Sequence, residues 1–164
     1  MSCWRRGPAL TLALAVALQA GACELVLSDH RSGRELARQP LDPAAPTTRV
    51  AFTHSVLGTP VIDVYRWHAD GDGRWVATLV EEQFDGEGYG LPHTAAPGER
   101  LVRLPQGWRL ELSRRVDPLV VRPLPAQRMR LLLPGQADLL LGSLGSSSVH
   151  LQARACPEPR RTPP

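Results

Sequence analysis

The chain has 164 residues, 43% of them hydrophobic and 21% charged, proportions that suit a globular protein and exclude a disordered one. Gly and Pro together number 30 (14 and 16), and beyond residue 22 the longest window free of both covers residues 74–85, which excludes a helical bundle or coiled coil. The formal charge is +3, but Arg5 and Arg6 stand in an acid-free leader, so 17 basic residues face 16 acidic ones (+1) in the rest. Every cation is arginine and the arginines alternate with acids, so the clustered cations that a nucleic-acid surface needs are missing.

Residues 1–22 read as a secretory signal peptide. Arg5 and Arg6 form its positive region, Ala9 to Ala20 its apolar stretch, and Ala20-Gly21-Ala22 a small-residue cleavage site. The apolar stretch is ~12 residues against the ~20 that span a bilayer, and no later stretch is apolar enough to do so. Export to the periplasm is therefore expected. Cys3 leaves with the leader, and Cys23 and Cys156 remain at the two ends of a domain expected over residues 23–156. In an oxidising compartment such a pair favours a disulfide, which on the chain-entropy model constrains the unfolded chain by ~4–5 kcal/mol. The alternative is a lipoprotein of the cell envelope. Ala-Gly-Ala-Cys is similar to a lipobox, and acylation would consume the Cys23 thiol.

Beyond the leader, short alternating apolar runs are cut by turn residues, the pattern of an all-β sandwich or partly open barrel of antiparallel hairpins. Leu25-Val26-Leu27 opens the first strand, His30-Arg31-Ser32-Gly33 turns, and residues 35–39 return. Residues 40–46, with three prolines, form a connector. A strand is expected over residues 49–56, broken at Gly58-Thr59-Pro60. Along residues 61–68, Val61, Asp63, Tyr65 and Trp67 face one way. Asp70-Gly71-Asp72-Gly73 suits a tight type I′ hairpin turn. Residues 75–84 return as a strand, although Val76, Val80 and Phe84 also fit one helix face. A long Gly/Pro-rich loop occupies residues 86–97. A second hairpin turns at Pro105-Gln106-Gly107, and strands follow over residues 119–121, 129–133, 139–141 and 149–153. Residues 157–164 form a Pro/Arg tail expected to fray.

The chemistry-bearing residues form no catalytic set. Neighbours on a strand face opposite ways, so His54 placed on a strand cannot serve Ser55 as base. His30, His54, His68, His93 and His150 show no metal-ligand spacing, although His54 and His93 could converge. The glycines of Asp85-Gly86-Glu87-Gly88-Tyr89-Gly90-Leu91-Pro92 look like a phosphate cradle, but no helix follows to supply N–H donors. The segment reads as a conformationally special loop able to bind something. No cofactor and no metal are expected, and the chain is expected not to be an enzyme.

Phe52-Thr53-His54-Ser55-Val56, then Thr59-Pro60-Val61, Asp63 and Tyr65, then Glu82 and Phe84, then Gly88-Tyr89-Gly90-Leu91-Pro92 follow an order that resembles a family of small secreted bacterial proteins, the domain of unknown function eighteen-fifty. The resemblance covers residues 50–92. Asp63 stands where many relatives carry Glu, and Tyr89 where a small residue is common. The resemblance implies association with TAXI-class TRAP transporters, which import small organic anions through a periplasmic receptor and a membrane permease, and it implies no established activity. It marks His54, Ser55, Gly88, Gly90 and Pro92 as family markers, and Asp63, Glu87 and His93 stand beside them as candidate family-marker or ligand-binding residues. Three readings follow: a non-enzymatic accessory contacting the transporter's receptor or permease, a small-ligand-binding module, or a hydrolase using His54 with Asp63 or Glu87.

Overall fold

The computed structural model describes residues 22–156. The expected tail, residues 157–164, lies outside them, as does the expected leader except Ala22, which opens the first strand opposite Ala155. Eleven strands follow in chain order: β1 (Ala22–Asp29), β2 (Glu35–Pro40), β3 (Thr47–Thr53), β4 (Pro60–Ala69), β5 (Trp75–Phe84), β6 (Arg100–Arg103), β7 (Trp108–Val116), β8 (Leu119–Val121), β9 (Arg130–Leu132), β10 (Leu139–Leu140) and β11 (Val149–Ala155). Two short 3-10 turns, Pro125–Gln127 and Leu141–Leu144, are the helical elements among the described residues.

The strands form two antiparallel sheets, one of four strands in the order β2-β1-β11-β8 and one of seven in the order β10-β9-β3-β4-β5-β7-β6. Neither closes on itself, so of the two expected architectures the open sandwich is the one formed. Alternation explains the packing, because period-two apolar positions turn to one face of each sheet. Leu25, Leu27, Leu119, Leu151 and Ala153 of the smaller sheet join Val50, Val61, Tyr65, Trp67, Leu79, Leu110 and Leu131 of the larger in one core. Inside it the buried Trp67 indole N–H donates to the hydroxyl of Thr48 at 3.2 Å, so both polar atoms are satisfied away from water. Cys23 and Cys156 are joined by a disulfide, their Cα atoms 4.7 Å apart across 133 residues of sequence. A sulfur in that bond cannot carry a thioether-linked lipid, so this bonded state and the lipoprotein alternative exclude each other. Among the described residues no helix is long and apolar enough to cross a membrane.

Residues 75–84 are the strand their β-branched and aromatic content indicates, not a helix. Three local expectations are corrected. The strand expected over residues 49–56 runs from Thr47 to Thr53, because His54 begins a turn that its own side chain closes. The turn after β4 is not type I′. Of its residues only Gly73 has positive φ (76°), and Gly73 N–H donates to the Asp70 carbonyl while Asp70 N–H donates to that of Arg74. This is a type I turn followed by a left-handed glycine. The last short strand stops at Leu140, where the chain winds into the Leu141–Leu144 turn and buries Leu141 completely.

Candidate functional site

The β3–β4 turn is built around His54. Its backbone N–H donates to the Thr59 carbonyl (2.8 Å) and its carbonyl accepts from Gly58 N–H (2.9 Å). Its ring Nδ1 accepts from Val56 N–H at 3.3 Å and Leu57 N–H at 3.2 Å. The imidazole thus does what Asp or Asn commonly does in a turn, satisfying N–H groups that have no ladder partner. Ser55 and Val56 follow, exposed at the tip. The spacing of Phe52-Thr53-His54-Ser55-Val56 is that of a strand end and its cap.

The glycine loop lies beside this turn. Thr59 Oγ1 donates to the Asp85 carbonyl at 2.7 Å. A Cβ on Gly86, whose φ is 101°, would come within 3.0 Å of Leu57 Cδ1, so this glycine permits a close approach of the two segments. Farther along, Gly88 pairs with Leu91 in an isolated bridge, and Tyr89 between Gly88 and Gly90 holds a left-handed backbone at φ 53° with its side chain exposed. That conformation is uncommon for an aromatic residue. Glu87 and His93 are exposed and Pro92 half-buried. The structure therefore brings the turn of His54 and Ser55 together with the loop of Glu87, Gly88, Gly90, Pro92 and His93. No hydrogen bond among the described residues joins His54 to His93.

Asp63 stands apart from them. It faces Val50 across the β3–β4 ladder, four residues back from His54, and Glu82 across the β4–β5 ladder. Its neighbours on that face, Val61 and Tyr65, belong to the core. A His54–Asp63 proton relay needs contact within ~3.2 Å, whereas four residues of strand span about 13 Å. Instead Tyr65 O–H donates to Asp63 Oδ2 at 3.2 Å, and Asp63 Oδ1 is buried without a partner. Burial, then the nearby Glu82 charge, push the Asp63 carboxyl up to about 7, against the pull of the Tyr65 bond. Glu82 is raised for the same first reason, burial, with Arg114 opposing. Burial and Asp63 together raise the Tyr65 hydroxyl above its ordinary value.

Behind the β3–β4 turn, on the side of the sheet away from the core, lies a groove of about 790 Å³. It runs from Thr53 and Pro60 to Leu140, walled by Leu124, Pro125 and Ser143. The sequence reading missed it, since Leu124 and Arg128 flank one short turn, Leu140 lies in another short segment, and neither carries a motif. The one signal was two large aliphatic residues, Leu124 and Leu140, in stretches too short to bury them. Both are exposed, as are Val56 and Tyr89.

The family model described as Domain of unknown function (DUF1850) matches residues 49–139, from β3 to β10. The chain belongs to that family. The matched DUF1850 region holds all of the seven-stranded sheet but the first two residues of β3 and the last of β10, including the turn, the glycine loop and the Asp63–Glu82 pair. No curated protein and no solved structure is detectably similar to the chain.

Proposed function

We propose that this DUF1850 protein acts in the periplasm as a non-enzymatic accessory of a TAXI-class TRAP transporter for small organic anions, contacting the transporter's receptor or permease through the His54 turn and the glycine loop. The observation that carries this reading is where the exposed apolar side chains stand. Val56 is 61% and Tyr89 72% exposed, on two segments that a hydrogen bond ties together. Leu124 and Leu140 line the groove that reaches the same turn. Apolar side chains gathered at one end of a molecule mark an interaction surface, whereas scattered ones need no explanation. The disulfide supports export, since such bonds persist in oxidising compartments, and the transporter comes from the motif resemblance. No catalytic role is assigned to His54, because its Nδ1 is taken up by two backbone N–H groups.

The test is crosslinking and co-purification of the exported protein with tagged receptor and permease subunits, alongside the double variant Val56→Asp/Tyr89→Asp. Recovery of a subunit by the parent protein and its loss in the variant are expected. Recovery of neither subunit, or equal recovery by the variant, overturns the reading.

A further inference from the structure

The groove has a chemistry of its own. Leu140 pairs with Arg130, Arg130 with Ala51, and Ala51 with Ile62, so these four residues form one row across β10, β9, β3 and β4, and all four line the groove. The next row, Leu139, Leu131, Val50 and Asp63, faces the core, which places the groove on the opposite side of the sheet. At ~4.8 Å between neighbouring strands the row is roughly 14 Å long. Leu124 stands over it from the loop before the Pro125–Gln127 turn, and the groove volume falls within the ~300–1,000 Å³ of small-molecule sites.

Its charges are one-sided. No acidic residue is among those that line it. Of its two arginines, Arg130 is held by Asp138 at 2.9 Å. Arg128 forms no ion pair among the described residues and sits at the C-terminal end of the Pro125–Gln127 turn with a left-handed backbone, φ 47°. An apolar trough with one uncompensated guanidinium selects a ligand with an apolar body and one anionic end, because the carboxylate gains a charge-assisted bidentate contact that a neutral or cationic head group cannot make.

We infer that the groove between β10, β9, β3 and β4 is a binding site for a medium-chain carboxylate, its chain laid along Leu140, Ala51, Ile62 and Leu124 and its carboxylate on Arg128. The groove borders the docking surface proposed above, but neither Val56 nor Tyr89 lines it.

Octanoate titrated calorimetrically into the disulfide-bonded protein tests this, with octanol and octylammonium as controls. Saturable octanoate binding is expected, with both controls weaker by about tenfold or more, as loss of a charge-assisted contact implies. Arg128→Asn, chosen because Asn tolerates the left-handed backbone, should weaken octanoate by a similar factor and leave octanol unchanged. Leu140→Glu should remove octanoate binding while its melting curve matches that of the parent protein. Absence of saturable octanoate binding overturns the inference, as does equal binding of octanol or an Arg128→Asn variant that binds as tightly as the parent. A concentration-dependent dimer that Leu140→Glu dissolves, without octanoate uptake, would assign the groove to a second copy of the chain and overturn it too. Transporter capture reads Val56 and Tyr89, so either proposal can fail while the other stands.

Discussion

The two ends of the seven-stranded sheet solve the same problem in opposite ways. At each, a hairpin turn leaves backbone N–H groups without ladder partners, and one side chain accepts two of them. At the far end Asp70 Oδ1 accepts from Asp72 N–H (3.1 Å) and Arg74 N–H (2.9 Å), and the same carboxylate meets the Arg74 and Arg115 guanidinium groups at 3.0 and 3.5 Å, with Asp117 beside them. Burial would raise the Asp70 carboxyl, but the backbone donors and the arginines outweigh it and hold it below its ordinary value. That end is electrostatically complete. At the other end the acceptor is the ring Nδ1 of His54, no ion pair among the described residues touches the turn, and Val56 and Tyr89 face solvent. A side chain can thus hold a turn's backbone N–H groups while the turn's surface remains free for another molecule.

The largest effect expected concerns a bond that belongs to neither end. Replacing Cys23 and Cys156 by Ser should lower unfolding stability by about 4–5 kcal/mol on the chain-entropy model, read from urea denaturation with and without reductant. Amide exchange should rise at both ends together if they share one cooperative core. Loss of protection at the His54 end alone would break the comparison.

The next effect lies between the ends. Asp63 has a folded value of about 7 against ~3.9 for an unfolded Asp. Its folded value is raised, so its contribution to stability is complete below the unfolded value and is lost as pH rises through about 7. Between pH 5 and 8 the loss should be roughly 2–3 kcal/mol. Glu82 adds to it in the same direction. His150, lowered by burial and then by His30, opposes it. The difference between the parent protein and Asp63→Asn isolates the Asp63 contribution, and equal pH profiles for the two proteins would count against it.

Smaller effects separate the turns directly. Asp70→Ala should cost about 1–2 kcal/mol, because it strands two N–H groups and two arginines at once, and His54→Ala about 1 kcal/mol for two N–H groups alone. Thermal melts in low and high salt should show salt dependence for the first difference and none for the second. Smallest of all, Val56→Asp should change stability by no more than about 0.5 kcal/mol, and a larger loss would mean that its side chain packs inside the turn rather than facing outward.

Much of this was legible before folding. Period-two alternation set which residues of β4 face the core, since Val61, Tyr65 and Trp67 turn inward whatever their strand pairs with. The breaks at Gly58-Thr59-Pro60 and around Gly107 set where hairpins turn, and two cysteines at the ends of the domain made the disulfide readable. The His-Ser and glycine motifs fall together at one end of the sheet. Their roles were not legible. A strand continued through residues 49–56 puts His54 and Ser55 on opposite faces, and only the ring hydrogen bonds to Val56 and Leu57 show that the strand has already ended.

Local backbone preferences and burial periodicity act within a few residues, so composition and order determined the strands, their inward faces and the turns. Which strands neighbour each other depends on contacts far apart in the chain. Tertiary structure alone therefore decided that Asp63 faces Glu82 rather than His54, that the His54 turn meets the glycine loop through Thr59 and Asp85, and that Leu124, Arg128 and Leu140 converge on one groove.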